Sequence, residues 1–302
     1  MATPEPGMIA FMAESAQFFP QSITGHSVDE HRACYAKLCD HFNFPHPNGL
    51  ITKDFTHEDV PLRLYTPADN KPGCLILYLH GGGWVIGNLE SHDSICAELA
   101  NQANAQVLAV DYRLAPEHPF PAGFEDCVKA FNWARANANH LIVAGDSAGS
   151  CLAAAIAHYA RDQKINQIVG QVHIYPTYAA TPDGGTFEEF AEAPGLSLSD
   201  IHYSLNAYLG KEGGSSWSNP YARPIIDENF SNLPPAYIHA AEVDPLRDEA
   251  FAYQAAMKNA GGEAELRVGK GLIHGFLRGR FISNVAGEAF RDICTATASF
   301  FR

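Results

Sequence analysis

The chain has 302 residues, enough for one large domain with a well-buried core or for two small ones. Hydrophobic residues at 46% and charged residues at 18% describe an ordinary globular protein. With 20 basic against 34 acidic side chains the formal net charge is −14, which argues against nucleic acid or an anionic membrane as partner, since both select a positive surface. The same balance disfavours highly anionic substrates, although a local pocket can oppose the global sign.

The first 19 residues carry no basic leader, and Glu5, Pro6, Glu14 and Gln17 interrupt their apolar positions, so they do not read as a secretory signal. No window approaches the roughly 18 unbroken apolar residues that a spanning helix needs. Residues 1–47 have helical apolar spacing and end in the break Phe44-Pro45-His46-Pro47. From Ile51 the pattern changes. Residues 60–65 alternate like a half-buried strand, and 74–79 form a continuous apolar run, as expected of a strand covered on both faces. A helix at 91–103, a strand at 106–110, a helix at 124–137 and a strand at 141–144 follow. Next come a small-residue helix at 148–161 and a strand at 168–175. Residues 180–223 interrupt this alternation with a helical, aromatic-bearing insertion. It resumes with a strand at 236–241, a helix at 245–260, a strand at 264–268 and a last helix at 286–301. Such alternation predicts an α/β fold with parallel β-α-β units and a doubly wound sheet. The expected organisation is one catalytic domain over 48–302, capped by 1–47 together with the insertion at about 180–223.

The chain's 7 cysteines (Cys34, Cys39, Cys74, Cys96, Cys127, Cys151 and Cys294) are scattered, odd in number and never in a C-x-x-C pair. A thiolate metal site and a disulfide framework are therefore not expected, and the compartment reads as reducing and cytoplasmic.

Three segments carry chemistry. Gly145-Asp146-Ser147-Ala148-Gly149 is a G-x-S-x-G sequence between an apolar strand and a run of helix formers. A serine on such a sharp turn takes a strained backbone, and the following helix N-terminus presents N–H groups where an oxyanion forms. That makes Ser147 the candidate nucleophile, against the plainer reading of a Gly/Ser helix entry. His80-Gly81-Gly82-Gly83-Trp84 follows the strand at 74–79. A phosphate cradle would need G-K-[ST] or G-x-G-x-x-G, and neither is present. As an oxyanion hole, Gly81 and Gly82 would join Ala148 in donating N–H bonds, with His80 orienting the loop. Among 14 histidines, His274 stands out, because it lies in the short glycine-flanked loop Gly271-Leu272-Ile273-His274-Gly275-Phe276. It is the candidate general base, while His26, His57, His118 and His202 sit in surface-like segments. A base of this kind needs a carboxylate to hold its tautomer. Asp244, directly after the strand at 236–241, is the first choice, with Asp248 and Glu242 as alternatives. Asp248 and Glu249 also suit the first turn of a helix without any catalysis.

Together His80 to Trp84, Asp111-Tyr112-Arg113-Leu114-Ala115-Pro116-Glu117, Gly145 to Gly149, Asp244-Pro245-Leu246-Arg247-Asp248-Glu249 and His274-Gly275-Phe276 resemble the hormone-sensitive-lipase-like esterases, in particular their G-D-S-A-G branch. The resemblance implies an α/β-hydrolase fold with a mostly parallel eight-stranded sheet and a helical cap. It implies cofactor-free hydrolysis of short- to medium-chain acyl esters through an acyl-enzyme, with the triad Ser147, Asp244 and His274. It also implies an architectural role for Asp111 to Glu117 and a homodimer paired through the strand at 264–268. Ser150, where the family often has glycine, and Arg223, where it often has a small residue, depart from the pattern.

The aromatic residues Phe11, Phe18, Phe19, Phe187, Phe190, Tyr203 and Tyr208 are candidates for walling an acyl or alcohol pocket or for burying the cap on the domain. The expected partner is a small water-soluble ester. Two other function classes stay open: a non-catalytic small-ligand receptor on the same scaffold, and an amide or thioester hydrolase or acyltransferase.

Overall fold

A computed structural model describes residues 2–18 and 27–301 of the chain; Phe19 and His26 lie outside the described residues. Its centre is an eight-stranded sheet. The strands are β1 Ile51–His57, β2 Val60–Thr66, β3 Cys74–Leu79, β4 Gln106–Val110, β5 His140–Asp146, β6 Ile168–Ile174, β7 Ala236–Val243 and β8 Ala264–Ile273. They lie in the order β1-β2-β4-β3-β5-β6-β7-β8, antiparallel over β1, β2 and β4 and parallel from β4 to β8.

Seven of these strands fall where the apolar runs put them. The eighth, β1, has no buried residue, so it carries no hydrophobic pattern to read, and its pairing to β2 defines it instead. Residues 264–268 are only the first half of β8, which runs on to Ile273 and so carries the chain directly to His274.

The helices are α1 Pro6–Ser15, α2 Val28–His41, α3 Asp93–Ala103, α4 Ala122–Asn137, α5 Ala148–Asp162, α6 Gly185–Glu189, α7 Leu198–Leu209, α8 Arg247–Asn259 and α9 Asn284–Ser299. The central strands sort their side chains with period two, as pleated backbone requires. Leu75, Leu77 and Leu79 of β3 with Leu141 and Val143 of β5 meet α4, α5 and α8 on one face. Ile76 and Tyr78 with Ile142 and Ala144 meet α3 and α9 on the other. A doubly wound sheet results, with both faces of its parallel part buried.

Residues 2–18 and 27–47 and the insertion contribute side chains to the cavity at the C-terminal strand ends. Arg32 of α2 ties the first of these down. It makes a two-pronged bond to Glu117 at 2.8 and 2.9 Å and also donates to the carbonyls of Val85 and Ala115. Arg113 of the same 111–117 segment holds Asp126 of α4 at 2.7 and 2.9 Å, so that segment does join loops to helices. The second departure, Arg223, is buried where the insertion rejoins the domain and donates to Ala179 O, Trp217 O and Thr181 Oγ1 at 2.6–2.9 Å. All 7 cysteines are free thiols, 6 of them buried. Among the described residues no helix is long and apolar enough to cross a membrane.

Candidate active site

The strand ends bring the three sequence-selected side chains together. β5 ends at Asp146 and α5 begins at Ala148, so Ser147 alone makes the turn, with φ 54° and ψ −122°. That backbone is costly for a residue with a Cβ. It persists because Ser147 N–H donates to Ile174 O at 2.9 Å and the flanking glycines let β3 approach. A Cβ on Gly145 would sit 2.6 Å from Leu79 O, and one on Gly149 would sit 2.7 Å from the Leu79 carbonyl carbon. Ser150 explains itself here. Its buried hydroxyl donates to Gly145 O at 2.7 Å and accepts from Ile174 N at 3.1 Å, which ties the turn to β6.

His274 follows β8, and its Nε2 lies 2.9 Å from Ser147 Oγ. Its Nδ1 lies 2.8 Å from Asp244 Oδ2, on a side chain 1% exposed. The other oxygen of Asp244 accepts from Leu246 N at 2.9 Å, which fixes the carboxylate plane. The two alternatives to Asp244 are committed elsewhere. Glu242 accepts from Gly271 N at 2.8 Å, and Asp248 accepts from Thr186 N at 3.1 Å at the start of α6. Tyr175 packs its ring 4.9 Å from that of His274.

One member of the expected oxyanion hole does not stand. Gly81 N–H donates to Asp146 Oδ1 at 3.0 Å, so it is already spent, and Gly81 does not line the cavity that holds Ser147. Gly82 and Gly83 do line it, and neither N–H has an acceptor among the described residues. Gly82 sits at φ 124°, and a Cβ there would run into Ile86 O, so this loop admits only glycine. Ala148, at the first position of α5, has an N–H with no partner inside the helix.

Asp146 is the buried hub of the loop. Besides Gly81 it accepts from Tyr78 at 2.8 Å and Tyr175 at 3.2 Å, and His92 Nε2 lies 3.3–3.4 Å away. Burial alone would raise its carboxyl, but His92, Tyr78 and Arg278 outweigh burial and hold it well below the usual range. His80 orients the loop as expected. Its Nδ1 lies 2.9 Å from Gly81 O and its ring stacks on Tyr112 at 4.3 Å. Burial, helped by neighbouring His92, lowers it to about 3, so it is neutral and no rival base.

The cavity over Ser147 has a volume of about 780 Å³. Of the described candidate aromatics, Phe11 and Tyr203 line it, whereas Phe18, Phe187, Phe190 and Tyr208 bury their own elements instead. Met12, Leu38, Trp84, Ile201 and Leu205 are among the remaining apolar residues of the wall.

Sequence reasoning missed Glu249. It reads as a helix-entry acid but is buried, accepting from Thr177 Oγ1 at 2.9 Å, Tyr178 N at 2.6 Å and Ala180 N at 3.0 Å. Burial, with Asp244 adding, pushes its carboxyl up to about 7 against the pull of those three donors. No local pattern announces this, because its partners lie about 70 residues away.

Residues 76–278 match the family model for the alpha/beta hydrolase fold. The chain is similar to the carboxylesterase NlhH of Mycobacterium tuberculosis, 38% identical over 242 residues, which are 76% of this chain and 75% of the relative. It is 35% identical to the ethyl acetate hydrolase of Pseudomonas putida over 251 residues, 80% of this chain and 78% of that one. Among solved structures it resembles the hyperthermophilic esterase of the archaeon Pyrobaculum calidifontis, with TM-score 0.89 and 33% identity over 98% of each chain.

Proposed function

The chain belongs to the hormone-sensitive-lipase-like esterases of the α/β-hydrolase fold and is a carboxylesterase, and from that premise we propose that Ser147, His274 and Asp244 are its catalytic triad, working through an acyl-enzyme. The single observation that carries the reading is the continuous line of contacts Ser147 Oγ–His274 Nε2 at 2.9 Å and His274 Nδ1–Asp244 Oδ2 at 2.8 Å.

Ser147 Oγ attacks the ester carbonyl while His274 Nε2 takes the hydroxyl proton. The negative charge that develops on the carbonyl oxygen is held by the N–H groups of Gly82, Gly83 and Ala148; loss of one such donor costs about 3–4 kcal/mol of barrier. His274 then gives its proton to the departing alkoxide, and the alcohol leaves. Water repeats the sequence on the acyl-enzyme, ceding a proton to His274, and the acid and free Ser147 are regenerated. Asp244 keeps the imidazole in the tautomer whose Nε2 is free to accept.

The substrates in this reading are small esters with short to medium acyl chains. The cavity volume of about 780 Å³ supports this, as does the name of the Pseudomonas putida relative. Residues 1–47 and the insertion at 180–223 act as the cap, a role supported by the cavity-lining residues both contribute. The free thiols support the cytoplasm as its compartment, and β8 at the sheet edge is the surface through which two copies would pair.

A p-nitrophenyl phosphonate tests the assignment. It should stop activity and add one phosphonyl mass to the peptide bearing Ser147, and the Ser147→Ala protein should take none. Labelling of another residue, or undiminished turnover in the variant, overturns it. Esters, amides and thioesters sharing one acyl group then separate an esterase from an amidase or thioesterase, and activity that peaks on long chains would contradict the chain-length reading.

A further inference from the structure

Two buried arginines lie two residues apart after His274, and they differ in one respect. Arg280 is neutralised in place, its Nε donating to Glu98 at 2.5 Å. Arg278 is 9% exposed and donates Nη1 to Ser91 O at 2.7 Å and Nη2 to the Tyr35 hydroxyl at 2.6 Å, with His92 Nε2 3.5 Å from Nη2. Among the described residues no carboxylate reaches ion-pair distance of it. Asp146, the nearest acid in its network, lies behind His92 and is already bonded to Tyr78, Gly81 and Tyr175. Nor does the Arg278 Nε–H find an acceptor among the described residues. Arg223, also without a carboxylate, spends its donors on two carbonyls and a hydroxyl away from the cavity. Arg278 is the one lysine or arginine among the described residues that lines the cavity with Ser147 and His274.

Asp146, beyond His92, answers part of the Arg278 charge, but no carboxylate among the described residues pairs with the guanidinium directly, and a largely buried charge without a paired ion is costly. The guanidinium's planar fork is suited to a carboxylate, and the low surrounding dielectric strengthens such a pair. Glu192 and Asp200 also line the cavity, but most of its wall beyond Arg278 is apolar, so a hydrocarbon spacer would be accommodated between the reacting carbonyl and the charge. We propose that Arg278 forms a carboxylate subsite, and that the preferred substrates are esters bearing a second, ionised carboxylate, such as monoesters of short dicarboxylic acids. The inference rests on the carboxylesterase reading and deepens it: a local cation here opposes the chain's net charge of −14.

The test compares kcat/KM for monoethyl glutarate with that for its neutral counterpart, the ethyl ester of glutaric monoamide, with the succinate and adipate homologues locating the best spacing. The native enzyme should prefer the charged ester on the order of 10- to 100-fold, the range expected of a charge-assisted bond. Arg278→Met should abolish that preference, read as the ratio of charged to neutral ester turnover within the variant itself, and Arg278→Lys, which keeps charge but not the fork, should retain part of it.

Because Arg278 also holds Tyr35 and Ser91, the variant has a companion experiment on the unaltered protein. Glutarate should inhibit p-nitrophenyl acetate hydrolysis competitively, and less so at high salt, whereas glutaramide should not. Equal turnover of the charged and neutral esters, or equal inhibition by both compounds, overturns the subsite and leaves the esterase standing. Failure to hydrolyse even p-nitrophenyl acetate would overturn the esterase instead.

Discussion

The floor of the cavity and its walls are built on different principles. Ser147, Asp244 and His274 rise from the ends of β5, β7 and β8, where the backbone is pinned by the ladder and by bonds such as Ser147 N to Ile174 O. Phe11, Leu38, Ile201 and Tyr203 reach the same space from helices held by apolar packing. Sheet-end geometry places atoms to a few tenths of an ångström, which proton transfer demands. A helix face supplies volume, which substrate fit demands and which tolerates exchange of one apolar residue for another. In the proposed reading chemistry and selectivity therefore occupy separable parts of the chain, and changes to the floor should cost rate where changes to the walls shift preference.

Ser147→Ala is the sharpest break. It should cost on the order of 10⁶-fold in kcat with little change in thermal stability; a variant within tenfold of the parent would end the distinction. Asp244→Asn should cost on the order of 10⁴-fold in kcat, while Asp248→Asn and Glu242→Gln stay within a few-fold, because their carboxylates serve backbone amides elsewhere.

Glu249 tests the floor through pH. Its carboxyl is raised in the folded protein to about 7 from 4.5, so its contribution to stability is complete below about pH 4.5 and is lost as pH rises through about 7. At about 1.4 kcal/mol per tenfold change in proton affinity, the contribution is a few kcal/mol at most. The Tm of the native protein, measured against that of Glu249→Gln, should therefore fall between pH 5 and pH 8; a constant difference would show that this carboxyl is not titrating there. Ser150→Ala, which leaves Gly145 O and Ile174 N without their buried partner, should cost about 1–3 kcal/mol in urea unfolding. The smallest effect belongs to the wall. Tyr203→Ala, at 37% exposure, should shift the chain-length optimum by a few-fold in kcat/KM and leave the triad's rate on acetate esters intact.

What could be read from the residues follows the same division. The meeting of Ser147 and His274 was legible because each sits in a short glycine-flanked segment after an apolar strand, so local pattern and tertiary position coincide. The loop at 80–84 was legible as a loop but not atom by atom. Its three glycines are chemically alike, and which N–H stays free is settled by the Asp146 carboxylate, 65 residues along the chain. β1 escaped because an exposed edge strand need not alternate. The walls were least legible, since Phe11 and Phe18 share one N-terminal apolar stretch, yet the first faces the cavity and the second stacks on His41.

The buried thiols supply a built-in clock for the molecule's opening. Burial keeps those of Cys96, Cys127, Cys151 and Cys294 protonated, and only the thiolate alkylates. Of the 7, only Cys34 is even partly accessible in the native state. Pulses of iodoacetamide followed by intact-mass spectrometry would thus count sub-global openings one alkyl group at a time, with Cys127 and Cys151 timing the layer of α4 and α5 and Cys96 and Cys294 timing that of α3 and α9.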